Sequence, residues 1–82
     1  MSQKKKLVER LKTKPKDFTW NELEVVLTGF GYELESGSGS RRKFFNAKTG
    51  DVISLHQPHP NNVLKAYQVG DVLSHLKERG EL

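Results

Sequence analysis

The sequence predicts an α+β fold, in which a three-stranded antiparallel sheet carries its helices on one face. Apolar residues recur with the helical period up to about Gly31, alternate from there to about His56, and return to the helical period from about Ala66. This gives the order helix-helix-strand-strand-strand-helix. Consecutive strands framed by helices are typical of an antiparallel sheet with one covered face.

Length and composition favour one small domain, which we expect to span residues 1–82. A chain of this size buries only about 60–65% of its unfolded surface, so we expect one thin core. The net charge of +4 modestly favours anionic partners. The absence of cysteine excludes disulfides, a thiol nucleophile and cysteine-ligated metals. The chain shows neither the apolar run of a signal peptide nor a membrane span, so we expect a cytoplasmic protein.

Two helices are expected before the sheet. The first covers residues 4–13 and is ended by Pro15, which disfavours helical geometry in the preceding residue. The second begins at Thr19, which has the spacing of a capping box with Glu22. Its predicted buried face comprises Leu23, Val26, Leu27 and Phe30. Trp20 lies one position off that stripe, and we interpret it as the edge of the core rather than a platform for stacking bases.

The three strands are expected over residues 31–36, 41–46 and 51–56. The Gly/Ser-rich connector before the second strand matches no dinucleotide or phosphate-loop pattern, because no lysine-serine end or following helix is present. Residues 46–50 have the length and the glycine of a hairpin loop. The last helix is expected from Ala66 to Arg79, where Gly80 ends it.

Strand alternation predicts which side chains share a face. Ile53 and Leu55 must face the helices, so His56 faces the open side of the sheet. If Phe44 is the core residue of the second strand, the open face carries Arg41, Lys43, Phe45 and His56 together. On this evidence alone, Phe44 and Phe45 could exchange roles.

The stretch from residue 36 to 60 contains the candidate functional residues. The cations of residues 41–43 attract phosphate, and His56 and His59 are able to move protons near neutral pH. Two structural alternatives stay open: a charged edge strand that discourages aggregation, and histidines that only bond nearby backbone. A zinc site on this pair would need further ligands, for which only His75 and scattered carboxylates are available, and His75 itself is expected to be solvated. We expect no metal and no cofactor.

Several motifs then resemble a known family. Gly39-Ser40-Arg41-Arg42-Lys43-Phe44 is similar to the Gly-Ser-His-x-x-aromatic motif of the HicA toxins, small ribonucleases of bacterial type II toxin–antitoxin pairs. An apolar strand ending near Leu55 and a helix start at Tyr67-Gln68-Val69 support the resemblance, which covers nearly the whole chain. The resemblance implies a fold like that of a double-stranded-RNA-binding domain, an mRNA substrate and an acidic antitoxin as partner.

One position departs from the family pattern. Arg41 stands where the family has its catalytic histidine, and an arginine stays protonated and cannot act as a general base. It can still hold a phosphate with two hydrogen bonds. We therefore expect His56 and His59 to transfer the protons while Arg41 binds the scissile phosphate. The expected RNA-binding residues are Ser40, Arg41, Arg42, Lys43 and Phe45.

Three functions from different classes stay open. The first is a metal-independent mRNA endoribonuclease of the HicA type, and the second is an RNA-binding module without catalysis. The third is a protein-binding domain whose basic face docks an acidic partner. The histidine pair favours the first over the second, because phosphate binding alone would be served by lysine or arginine.

Overall fold

The computed structural model describes residues 3–37, 39, 41–58 and 61–80. The elements are α1 (Gln3–Lys12), α2 (Trp20–Gly29), β1 (Tyr32–Ser36), β2 (Arg41–Asn46), β3 (Val52–His56) and α3 (Ala66–Glu78). The strands pair in the order β1-β2-β3, and both pairs are antiparallel. The predicted α+β fold is confirmed, and it is compatible with the arrangement of a double-stranded-RNA-binding domain. Within the described ranges, no helix is long and apolar enough to cross a membrane.

The core lies between the helices and one face of the sheet. Its buried apolar residues are Leu11, Phe18, Trp20, Leu23, Val26, Leu27, Tyr32, Phe44, Ile53, Leu64, Val69, Val72, Leu73 and Leu76. Trp20 is only 1% exposed, and its ring centroid lies 5.5 Å from that of Phe44, so it belongs to the centre of the core rather than its edge. The physical reason is that Trp20, Leu23 and Leu27 follow the i, i+3, i+7 spacing of one helical face.

The start of α2 is fixed by the predicted capping box and by a contact from α1. Thr19 Oγ1 accepts from the backbone N–H of Glu22 at 3.2 Å, while Glu22 Oε1 accepts from the backbone N–H of Thr19 at 2.9 Å. The Arg10 guanidinium donates to the same Glu22 oxygen at 2.9 Å and also contacts Asp17. Burial would raise the pKa of Glu22, but the bonds from Thr19 and Arg10 lower it.

The turn from α2 into β1 depends on a glycine and a buried amide. Gly31 has a φ of +98°, which L-residues with a side chain rarely adopt. Beside it, Asn46 Nδ2 donates to the carbonyl of Phe30 at 3.2 Å. Asn46 Oδ1 accepts from the backbone N–H groups of Lys48 and Thr49, at 3.0 and 3.3 Å. The side chain of Asn46 thus connects the end of α2 with the β2–β3 hairpin loop.

Candidate functional site

The register of β2 and β3 brings predicted site residues together on the open face of the sheet. Arg41 lies directly opposite His56, and Lys43 lies directly opposite Ser54. Cβ atoms of directly opposed residues in an antiparallel pair are about 4.5–5.5 Å apart. Phe44 is fully buried, which assigns it to the core and leaves the half-buried Phe45 on the open face.

A cleft of about 430 Å³ lies at the end of the sheet where β1 and β3 finish and β2 begins. Its described lining comprises Glu35, Ser36, Gly37, Arg41, Arg42, Lys43, Ser54, Leu55 and His56. Three of these residues are cations, one is a histidine and one is a carboxylate. The cleft is therefore suited to an anion, because cations converging on a concave surface raise the local concentration of negative ligands.

Gly37, which follows β1, lies close to the first residue of β2. The backbone N–H of Gly37 donates to the carbonyl of Arg41 at 2.8 Å. A Cβ atom at residue 37 would lie 3.2 Å from Arg41 Cβ and 3.3 Å from Arg41 O, closer than most side chains tolerate. A side chain at residue 37 would therefore require Arg41, the first residue of β2, to shift by a few tenths of an ångström. Ser40, predicted to bind RNA, lies outside the described residues.

The three consecutive cations do not lie on one face of the sheet. Arg41 and Lys43 are exposed on the open face, whereas Arg42 is half-buried and alternates to the helix-covered side. Arg42 Nη1 donates to the carbonyls of Gly39 and Arg41, both at 2.8 Å. Its guanidinium is therefore bonded to backbone at Gly39 and Arg41, although Arg42 also lines the cleft.

The end of β3 is anchored to α3 by a buried glutamine. Gln68 is 3% exposed, and its Nε2 donates to the carbonyl of His56 at 2.9 Å. Its Oε1 accepts from the backbone N–H of Lys65 at 3.0 Å, so one side chain ties the backbone at His56 to the start of α3. His59, the second predicted catalytic histidine, lies outside the described residues. Over those described, no group of three or more His, Cys, Asp or Glu is arranged to hold a metal ion.

A protein-family model matches the part of the chain that contains the cleft. The model for the HicA toxin of bacterial toxin–antitoxin systems covers residues 20–78, which include α2, the whole sheet and α3. The chain belongs to the HicA toxin family. The resemblance seen in the sequence is confirmed, and membership implies a cognate antitoxin as partner. Comparisons with curated proteins and with solved structures found no match.

This HicA-family toxin contains a second polar cluster, at the opposite end of the sheet, which the sequence interpretation missed. Asp51 Oδ2 accepts from Tyr32 Oη and bonds His75 Nε2, each at 2.6 Å. Asp51 Oδ1 accepts from Arg79 Nε at 2.9 Å. The expectation of a solvated His75 is wrong, since its side chain is 24% exposed and lies against a nearly buried carboxylate.

The Asp51 carboxylate is stabilised in its charged form. Burial alone would raise the pKa of Asp51, but the hydrogen bonds from Tyr32 and His75 and the charge of Arg79 lower it below its usual value. The cluster joins β1, the start of β3 and the end of α3. The i, i+4 spacing of His75 and Arg79, the C-cap residue of α3, was the available sequence signal, since it puts both on one helical face.

Proposed function

We propose that this HicA-family toxin binds mRNA in the cleft and cleaves it without a metal ion. The observation that carries the proposal is the β2–β3 register, in which Arg41 is directly opposite His56. A cation beside a histidine supplies two of the three groups that the cleavage needs: a phosphate ligand and a proton-transfer group.

The proposed reaction is attack of a ribose 2′-oxygen on the adjacent phosphorus. A general base removes the proton of the 2′-hydroxyl, the new P–O bond forms, and the bond from phosphorus to the 5′-oxygen breaks. A general acid gives a proton to that 5′-oxygen, so the products are a 2′,3′-cyclic phosphate and a 5′-hydroxyl. His56 and His59 serve as base and acid in either order, and Arg41 stabilises the charge on the phosphoryl oxygens.

The antitoxin partner follows from family membership, and we propose that it is acidic where it meets the toxin. Arg41, Arg42 and Lys43 line the cleft against the single carboxylate of Glu35 among its described residues. An acidic surface is complementary to that excess of cations. The same cleft would then bind either RNA or antitoxin, which makes inhibition competitive.

The test is an RNA-cleavage assay in excess chelator on purified wild-type protein and on His56→Ala, His59→Ala and Arg41→Ala. Loss of an acid–base group lowers the rate by about 10²–10⁴-fold, whereas RNA binding should persist in both histidine variants because the cations remain. Arg41→Ala should lower both. The wild-type rate should follow a bell-shaped pH profile. Lys16→Ala, an exposed lysine in the α1–α2 connection, is the control and should change neither.

A second candidate, RNA binding without cleavage, is favoured by one observation. Arg41 occupies the position of the family's catalytic histidine and cannot accept a proton. Wild-type protein that binds RNA yet yields no cyclic-phosphate product would establish this alternative. If the protein binds the antitoxin but no RNA, the remaining function is that of a domain that docks an acidic partner.

A further inference from the structure

The open face of the sheet divides into two parts. The acidic margin consists of Glu33 and Glu35 on β1, and the cationic strip consists of Lys43 and Arg41 on β2. On β1, Glu33 lies opposite Phe45 and Glu35 lies opposite Lys43. On the other side of β2, Phe45 lies opposite Val52 and Arg41 lies opposite His56. The exposed carboxylates of this face are thus confined to the edge strand β1, whereas the cations and the histidine lie on β2 and β3.

Along β2, the open face is apolar at Phe45 and cationic at Lys43 and Arg41. Phe45, Lys43 and Arg41 are alternate residues on one face, so neighbouring side chains are about 6.8 Å apart along the strand. That separation is close to the separation of successive phosphates in an extended nucleic-acid strand. At the apolar end, Phe45 is half-buried and its neighbour Val52 is 41% exposed, which leaves ring and methyl surface open to solvent.

We propose that the ligand of this face is an unpaired RNA strand that runs along β2. One base stacks on Phe45 beside Val52, and the next two phosphates lie at Lys43 and Arg41, the second of them next to His56. This inference rests on the proposed function, because it takes RNA as the ligand of the cleft. It adds which form of RNA is bound and which residue holds a base.

Two physical arguments favour an unpaired strand over a duplex. In a duplex the base faces are stacked on one another, so an exposed aromatic ring on a sheet has no base to contact, whereas unpaired bases stack readily on such rings. The cationic strip is also narrow, since neighbouring strands are only about 4.8 Å apart. Glu33 and Glu35 lie on the strand next to β2, so a second row of phosphates on that side of the strip would be repelled by like charge.

The experiment measures equilibrium binding of two labelled RNAs to the full chain at one fixed salt concentration. One is a short oligonucleotide without internal pairing, and the other is the same sequence annealed to its complement. A 2′-O-methyl group in place of every 2′-hydroxyl of both RNAs removes the attacking nucleophile and so prevents cleavage during the measurement. We expect the unpaired strand to bind at least about tenfold more tightly, as a stacked base contributes an amount of this order.

Three variants test the path of the strand. Phe45→Ala should weaken binding of the unpaired strand by about 5- to 100-fold, because removal of one stacked base costs this much, whereas Phe45→Tyr keeps the ring and should bind like wild type. Val25→Ala, which truncates an exposed apolar residue of α2, is the matched control and should have no effect. Glu35→Gln should tighten binding by about two- to fivefold, because it removes a repulsive charge from the edge of the strip.

The outcomes separate this inference from the function on which it rests. If wild type binds and cleaves RNA but Phe45→Ala binds as tightly, or the duplex binds as well as the single strand, the proposed path is wrong and the ribonuclease function stands. If wild type binds neither RNA, both proposals are wrong. If Phe45→Ala loses affinity for an acidic antitoxin and keeps its affinity for RNA, the face is a protein-docking surface instead.

Discussion

A histidine side chain lies at each end of the sheet, one from β3 and one from α3, and the two histidines have opposite surroundings. At the end where β3 begins, His75 bonds a carboxylate that is 4% exposed and that also receives bonds from Tyr32 and Arg79. At the end where β3 finishes, His56 lies opposite Arg41 beside an open cleft. The first end joins three elements, and the second presents side chains to solvent.

The difference lies in the charge balance around the same residue types at the two ends. Around Asp51, opposite charges and donors meet the carboxylate, and no described buried side-chain nitrogen or oxygen lacks a hydrogen-bond partner. Around Arg41, the described lining residues carry more cations than carboxylates. Like charges on one surface repel and do not stabilise the fold, and this is the physical reason for proposing an anionic ligand at the cleft.

The largest effect on stability is expected from Asp51→Ala. The substitution leaves the buried Tyr32 hydroxyl without its acceptor and removes the charge that holds His75 and Arg79, which should lower the free energy of unfolding by about 3 kcal/mol. Arg41→Ala, an exposed residue, should change it by less than about 0.5 kcal/mol. Urea denaturation followed by circular dichroism measures the free energy of unfolding of both variants. An equal loss in the two variants would contradict the distinction between the two ends.

A smaller effect separates two neighbouring cations. Lys43→Ala should weaken RNA binding by about tenfold and change the slope of log affinity against log salt by about 0.7, since it removes one phosphate contact on the open face. Arg42→Ala should change that slope less, because its guanidinium is bonded to the carbonyls of Gly39 and Arg41. Binding titrations at four salt concentrations measure the slopes, and equal slopes for the two variants would show that both contact phosphate.

A third effect follows from the lowered pKa of Asp51. Because its pKa is lower in the folded than in the unfolded state, Asp51 contributes its full stabilisation above the unfolded pKa of about 3.9. That contribution decreases as the pH falls below this value and through the folded pKa. The loss should be smaller than that of Asp51→Ala, since a protonated carboxyl still accepts hydrogen bonds. Unfolding measured from pH 6 to pH 2 should show a shallower decrease in Asp51→Asn than in wild type.

Much of the fold was predictable because it depends on short-range patterns. The capping box of Thr19 and Glu22, the bounds of β2 and the orientation of Ile53 follow from residue type and spacing alone. Strand alternation also predicted that Arg41 and His56 share the open face, and the register then made them direct neighbours. Family membership was predicted from motifs that are local in the sequence.

The Asp51 cluster was not predictable in the same way. His75 and Asp51 are 24 residues apart, and their contact depends on how the end of α3 packs over the β2–β3 hairpin. Sequence periodicity describes one element at a time, so it assigned His75 to solvent. Trp20 shows the same limit at the start of a helix. An apolar stripe counted from Leu23 places Trp20 at the core edge, whereas a stripe that begins at Trp20, the first helical residue, pairs it with Leu23 at i+3 and places it in the core.

One paired measurement tests the contrast between the two histidines most directly. His56→Ala and His75→Ala are each assayed for RNA cleavage, with rates corrected for the folded fraction, and for the free energy of unfolding in urea. We predict that His56→Ala loses about 10²–10⁴-fold in rate while its stability stays within about 0.5 kcal/mol of wild type. His75→Ala should lose about 1–3 kcal/mol of stability and keep the rate of its folded fraction. A stable but inactive His75→Ala protein beside a fully active His56→Ala protein would contradict the assignment of function to the cleft.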